Sequence, residues 1–227
     1  MFYYDWTYVL MIPGLLLGLW AQSKVNGAYR KYSRVQSYAG VPASRAALQL
    51  LRRGGNTKVT VERTGGQLTD HYDPRTETLR LSEGVYDSSS LAALGIAAHE
   101  AGHAMQKHEG YAPMRLRNTI VPVVQIGSRL YMPLFVMGLI FSWAPLMNVG
   151  ILAFALTLVF SLITLPVEFD ASRRGVRMLV ESGLITRQEE PQVKEVLSGA
   201  AMTYVAAAIS SLMQLLRLII LSRRSDD

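Results

Sequence analysis

Cysteine is absent from this 227-residue chain, and histidine occurs only four times. The first absence excludes disulfides and any thiolate zinc site, while leaving the compartment open. Acidic residues are missing between Lys24 and Arg53, where Lys24, Arg30, Lys31, Arg34 and their basic neighbours stand without a counter-charge. Charge of either sign is missing from Leu130 to Val167, a run of 38 residues. The net charge of +6 comes with no aromatic-basic module. Membrane topology and anionic headgroups therefore explain it better than nucleic acid does.

What is present is apolar, in blocks. Trp6 to Ala21 is flanked by Tyr3, Tyr4, Trp6, Tyr8 and Trp20, the aromatic residues favoured at interfaces. No basic n-region or small-residue cleavage site marks it as a signal peptide, so residues 1–22 are expected to be a retained anchor. The uncharged run 130–167 is too long for one crossing and suits two, with a turn at Trp143-Ala144-Pro145 or Asn148-Val149-Gly150. Met202 to Leu221 is a last block, interrupted by Arg217. The basic residues after the first block, and those before and after the hairpin, place the intervening segments in the cytoplasm. The expected organisation is anchor 1–22, soluble part 23–129, hairpin 130–167, cytoplasmic segment 168–201, and last span and tail 202–227. Four spans with an outside N-terminus leave Arg223-Arg224 outside too, unless the last block packs as a partly buried helix.

Two of the four histidines fall in His99-Glu100-Ala101-Gly102-His103. Residues four apart share a helix face, so both imidazoles can reach one divalent ion while Glu100 addresses a water in its open position. Asp87-Ser88-Ser89-Ser90 offers N-cap residues, and the run from Leu91 to Gln106 is rich in alanine and leucine without proline. A helix apolar enough to be buried carries two histidines and a glutamate at a cost unless they are coordinated or hydrogen-bonded. The implied chemistry is metal-assisted hydrolysis with Zn2+.

Upstream, Ala43 to Arg53 reads as a helix. Val59-Thr60-Val61 and Thr78-Leu79-Arg80-Leu81 alternate as strands do around turns at Thr64-Gly65-Gly66 and Asp73-Pro74. Such a sheet either offers an edge to an extended peptide or caps the motif helix as a structural hairpin. A third ligand is needed. His108 lies five residues past His103, about 140° further round the helix, and points away. Glu168 ends the uncharged run, at the membrane level that the topology gives the motif helix, and a carboxylate there needs a reason. Coordination is one, and pairing with Arg173 or Arg174 is the other.

The stretch Thr78-Leu79-Arg80-Leu81-Ser82, the motif continuing as Ala104-Met105-Gln106, the segment Leu165-Pro166-Val167-Glu168-Phe169-Asp170-Ala171-Ser172-Arg173-Arg174, and Ala200 to Ala208 together resemble the YugP-type membrane zinc metallopeptidases of bacteria. The likeness covers nearly the whole chain. More distantly, these features resemble the gluzincin-like HtpX and CAAX prenyl protease group. The resemblance implies a mainly α membrane protein with a zincin-like core, a small β-sheet and about four transmembrane helices. It also implies His99, His103 and Glu168 as zinc ligands and Glu100 as general base. The HtpX-like pattern has aspartate four residues after the ligand glutamate; this chain has Ser172 there, leaving Asp170 or Ser172 as the orienting group. Tyr204, at the start of the last block, is an oxyanion-donor candidate or an interfacial anchor. The expected protein is multi-pass in the cell membrane, with its active site on the cytoplasmic side and a peptide or membrane-protein substrate. Two rivals are a site-2-type intramembrane protease, against which the absence of Leu-Asp-Gly argues, and a scaffold with a structural metal. Oligomeric state is open.

Overall fold

The computed structural model describes residues 5–225, with the side chains of Arg224 and Ser225 left aside. Tyr3 and Tyr4, expected at the first interface, lie outside the described residues. In chain order the elements are α1 (Ile12–Tyr32, entered through a 3-10 turn at Trp6–Met11), α2 (Ala43–Arg53), β1 (Thr60–Thr64), β2 (His71–Asp73), β3 (Thr78–Ser82), α3 (Glu83–Tyr86), α4 (Leu91–His108), α5 (Ala112–Ile140), α6 (Ala144–Glu181) and α7 (Glu190–Ser225). They form two compact units. One comprises Gln22–Arg115 with Pro166–Met202; the other comprises Leu116–Leu165 with the terminal stretches up to Ala21 and from Thr203.

The first unit is built around α4. On α2, Ala43, Ala46, Ala47, Leu50 and Leu51 are buried, the i, i+3, i+4, i+7, i+8 stripe of a helix with one apolar face. α2 packs on α4, and α4 packs on β2 and β3. The sheet order is β1-β3-β2. β1 runs parallel to β3, in register Thr60 with Thr78 through Thr64 with Ser82, and β2 runs antiparallel on its other side. This revises the simple hairpin reading: only β2 and β3 form one, through the turn after Asp73, and β1 reaches β3 by a crossover. β2 leaves no strand signal in the sequence because three residues are too few to show an alternating pattern. Central β3 is buried along its length except at Arg80, as a strand covered on both faces should be. Leu79, Leu81, Leu91, Leu94 and Leu179 close the core with no exposed surface.

The second unit contains the larger part of the apolar helices. Among the described residues four helices are long and apolar enough to cross a membrane: Trp6–Tyr32, Ala112–Ile140, Ala144–Glu181 and Glu190–Arg223. The hairpin arms are therefore longer than the uncharged run. Arg115, Arg117 and Arg129 interrupt the apolar signal of α5 without interrupting the helix, so its start at Ala112 was not visible. The turn falls at Phe141–Trp143, slightly before the expected place. Within this unit the helices approach through glycine. A Cβ on Gly138 would lie 2.6 Å from the Met147 backbone nitrogen, and one on Gly150 would lie 2.9 Å from Phe135 N and Tyr131 O. Such small-residue contacts are how apolar helices pack when lipid removes the hydrophobic drive. Arg217 is accounted for as well: its guanidinium meets Asp5 at 2.7 Å and lies 3.9 Å over the Tyr8 ring.

Candidate metal centre

α4 forms where the sequence says it should. Ser90 caps it, its hydroxyl accepting from Ala93 N at 3.2 Å, and the following residues are strong helix formers. His99 and His103 then project from one face, with ring centroids 4.7 Å apart and planes at 82°. Glu168 arrives from α6, a helix that lies unusually close. A Cβ on Gly102 would stand 2.4 Å from the Ala171 carbonyl oxygen, and one on Gly175 would stand 2.7 Å from the Ala98 oxygen. Glycine inside a helix costs roughly 1 kcal/mol relative to alanine. Here it is needed, because nothing larger lets the two backbones meet.

The result is a buried cluster. Glu168 Oε2 lies 3.3 Å from His99 Nε2 and 3.3 Å from His103 Nε2, and the three ligand atoms are within 4.8 Å of one another. Ligands held at about 2.0–2.1 Å on the corners of a tetrahedron are themselves about 3.3 Å apart, the spacing of both histidine–glutamate pairs here. The outer ring atoms are occupied. Ser172 Oγ is 3.0 Å from His99 Nδ1, and Gln106 Oε1 is 3.0 Å from His103 Nδ1.

Gln106 also places a proton on His103 Nδ1. Its amide nitrogen donates to Val167 O at 2.8 Å and Asp170 Oδ2 at 3.0 Å, so its carbonyl oxygen must face the ring, and Nδ1–H must donate to it. In its neutral form His103 therefore points a bare Nε2 lone pair at a carboxylate oxygen. Two acceptors facing each other at this distance need a cation between them. The field favours one: burial works against a charge on His103, but the hydrogen bond to Glu168 and the charges of Glu100 and Glu168 outweigh it and raise its pKa. The donor set, spacing and electrostatics thus fit zinc.

The expected site residues fall out as follows. His99, His103 and Glu168 come together, and Glu100 is buried beside them on α4. Ser172 contacts a histidine directly. Asp170 acts one step further out, through Gln106, while Arg173 and Arg174 both pair with it. The arginines thus engage Asp170 in place of the pairing with Glu168 considered from sequence. His108 is exposed and outside the group. Tyr204 is half-buried on α7 in the other unit.

Two contributors were missed. Gln106 is fully buried, and a glutamine three residues after the second histidine carries no charge to draw notice. Asp70 accepts from Ser82 N at 2.8 Å and Ser82 Oγ at 2.9 Å, locking the approach to β2 onto the end of β3. Burial pushes its carboxyl above the usual range against those two bonds, and the charge of Glu100 adds to the rise. Its only sequence signal was an acid at the edge of a short strand.

Comparison with known proteins adds an independent line. The family model described as "Putative neutral zinc metallopeptidase" matches residues 7–223. The chain is 44% identical over 218 residues to "Putative membrane protease YugP" of Bacillus subtilis (strain 168), covering 96% of this chain and 97% of that one. No solved structure matches.

Proposed function

Because the chain belongs to the family described as "Putative neutral zinc metallopeptidase", we propose that it hydrolyses peptide bonds of membrane or membrane-proximal proteins at the cytoplasmic face, with zinc held by His99, His103 and Glu168. The observation that carries the reading is the pair of inward Nε2 atoms, each 3.3 Å from one carboxylate oxygen, with both Nδ1 atoms already engaged. Zinc bound there would supply an acidified water and a polarised peptide carbonyl.

The chain's own residues do the rest. Glu100, one position after a ligand histidine, accepts the proton as water attacks and returns it to the departing amine. Gln106 and Ser172 hold the imidazoles so that Nε2, not Nδ1, faces the centre. The three grouped ligand residues leave a fourth position for substrate chemistry, as catalytic sites do. Tyr204 is retained as a candidate oxyanion donor. Of the two outer strands, β2 is the one that packs on α4, so its free edge is where an extended substrate backbone would pair.

The basic segment 24–53 and the Arg217–Asp5 pair, which joins the start of the first span to the late part of the last, support a reading with four spans and both termini outside. Cysteine scanning is simple in a chain with none: Thr60→Cys should be shielded from reagents added outside, and labelling there overturns the cytoplasmic assignment.

Metal content and peptide cleavage test the centre together. His99→Ala, His103→Ala and Glu168→Ala should each lose zinc. Glu100→Gln should keep a full equivalent and lose turnover by about 10²–10⁴-fold. Tight zinc in the Glu168→Ala protein removes that residue from the ligand set, and equal turnover by Glu100→Gln removes the base.

A further inference from the structure

A second concavity lies in the same unit, behind the candidate centre. It has a volume of about 700 Å³ and is walled by the last turns of α6 and the first turns of α7. Its floor is apolar, made by Phe169, Val176, Val180, Leu197 and Ala201. Its rim is basic: Arg173, Arg177, Arg187 and Lys194 against the two carboxylates Glu181 and Glu190. Ser172 belongs to the lining too, and it meets His99 at Nδ1, the ring atom turned away from Glu168. The groove is therefore on the far side of the imidazole from the metal position and is not the cleft in which a peptide bond would be cut.

Arg173 is anchored by Asp170 at 2.7 Å with its side chain 75% exposed, and the other rim cations are weakly committed. Arg177 reaches Glu181 only at 4.0 Å, with both side chains about two-thirds exposed, and Lys194 pairs with Glu190 while 61% exposed. Exposed pairs of this kind contribute little and exchange readily for another anion. Arg187 makes no ion pair or hydrogen bond with any described residue. Three guanidiniums around one opening match the planar, multi-donor geometry that phosphate takes. A phosphate alone would not need the floor. Both walls run directly into uncharged apolar helix, α6 back through Val167 to Ala144 and α7 onward from Val196 to Leu216. A molecule with an anionic head and a hydrocarbon chain would satisfy both the rim and the floor.

We propose that this groove is a binding site for one anionic phospholipid, its phosphate held by Arg173, Arg177, Arg187 and Lys194 and the start of an acyl chain laid over Phe169, Val176 and Leu197. Juxtamembrane cations attract an acidic lipid surface generally. The groove adds shape, so the interaction is with a single lipid and not with surface potential alone.

Native mass spectrometry of the purified full chain, exposed to phosphatidylglycerol or phosphatidylcholine, reads this directly. Wild type should retain one phosphatidylglycerol at least tenfold more than phosphatidylcholine. The Arg177→Gln/Arg187→Gln/Lys194→Gln protein should lose that preference by tenfold or more. Lysine at positions 177 and 187 should keep most of it, and Arg30→Gln/Arg34→Gln/Arg45→Gln, outside the groove, should leave it unchanged. Leu197→Ser should weaken retention, and glycerol phosphate without chains should not displace the lipid. Helical circular dichroism checks that each variant is folded; if the triple glutamine protein is not, the lysine variant and the lipid comparison in wild type still decide. Equal retention of the two lipids, undiminished retention in the folded triple variant, or displacement by glycerol phosphate overturns the proposal. The inference does not rest on proteolysis: Glu100→Gln, inactive under the proposed function, should retain phosphatidylglycerol as wild type does.

Discussion

In the unit that carries His99, His103 and Glu168, the large apolar side chains face inward; Leu79, Leu81, Leu91 and Leu94 are sealed from solvent. In the span-bearing unit they face outward. Leu15, Leu16, Ile126, Leu152 and Ile140 are 60–70% exposed, and the buried cluster is small, centred on Phe135, Met147, Phe154 and Leu218. Water drives the first arrangement, since each buried leucine contributes roughly 1.5–3 kcal/mol. The second makes sense against lipid, where an apolar exterior costs nothing and cohesion must come from close backbone approach and a few polar pairs. Precise polar geometry is thus found where the hydrophobic effect can immobilise its supports. The span-bearing unit relies on glycine contacts and on the Arg217–Asp5 pair.

The same insult delivered to each unit should give different readouts. Gly102→Ala drives a methyl against the Ala171 oxygen, parts α4 from α6 and should weaken zinc binding by about 100-fold or more, with about 1–3 kcal/mol of lost stability. Gly150→Ala, crowding Phe135 and Tyr131, should cost similar stability and leave zinc affinity alone. Chelator competition and thermal unfolding measure both. A matching drop in zinc affinity for Gly150→Ala would break the comparison.

Polar supports extend the contrast. Gln106→Leu strands His103 Nδ1 and takes a donor from Asp170, and should lower zinc affinity about 10–100-fold with little change in helical content. Arg217→Leu, its counterpart in the other unit, leaves Asp5 without its guanidinium. Detergent-solubilised protein should lose about 1–3 kcal/mol and keep its zinc affinity, and adding Asp5→Asn should restore part of the loss.

The smallest effect concerns pH. Lys107, in the last turn of α4, donates to Pro74 O at 2.6 Å and Glu77 Oε1 at 2.7 Å, clamping the β2–β3 turn. The Lys107 hydrogen bond and charge hold the Glu77 carboxyl below its ordinary value of 4.5. A depressed carboxylate lends stability that is present above the unfolded pKa and lost as pH falls through the folded one. Wild type should therefore lose more stability than Glu77→Gln when acidified below about pH 4.5. Parallel acid titrations of the two proteins would show the clamp to be inert.

Much of this was legible in advance, for physical reasons that differ by element. α2 and α4 carry their own signals: an apolar stripe of helical period in one, a serine cap and a run of helix formers in the other. Glu168 was legible because a charge at the edge of a long uncharged run is costly. The hairpin's first arm was not, since Arg115, Arg117 and Arg129 sit in a helix that composition alone splits. The support for His103 was hidden because an amide relays Asp170, and nothing about a lone glutamine predicts burial. Asp170 and Ser172 could not be told apart in the chain, and the structure puts them on different histidines: Ser172 contacts His99, and Asp170 reaches His103 through Gln106.

The close approach of α4 and α6 also dictates when the centre can exist. His99 and Ser172 are 73 residues apart in the chain, so α4 is made well before its partner leaves the ribosome. At ordinary rates of synthesis the gap is on the order of ten seconds. During that interval His99 and His103 stand without the Glu168 carboxylate that completes their group. Only when Ala171 and Gly175 have been added can the backbones mesh. A nascent chain stalled before Glu168 therefore lacks the complete donor set, which exists only once α6 has been made.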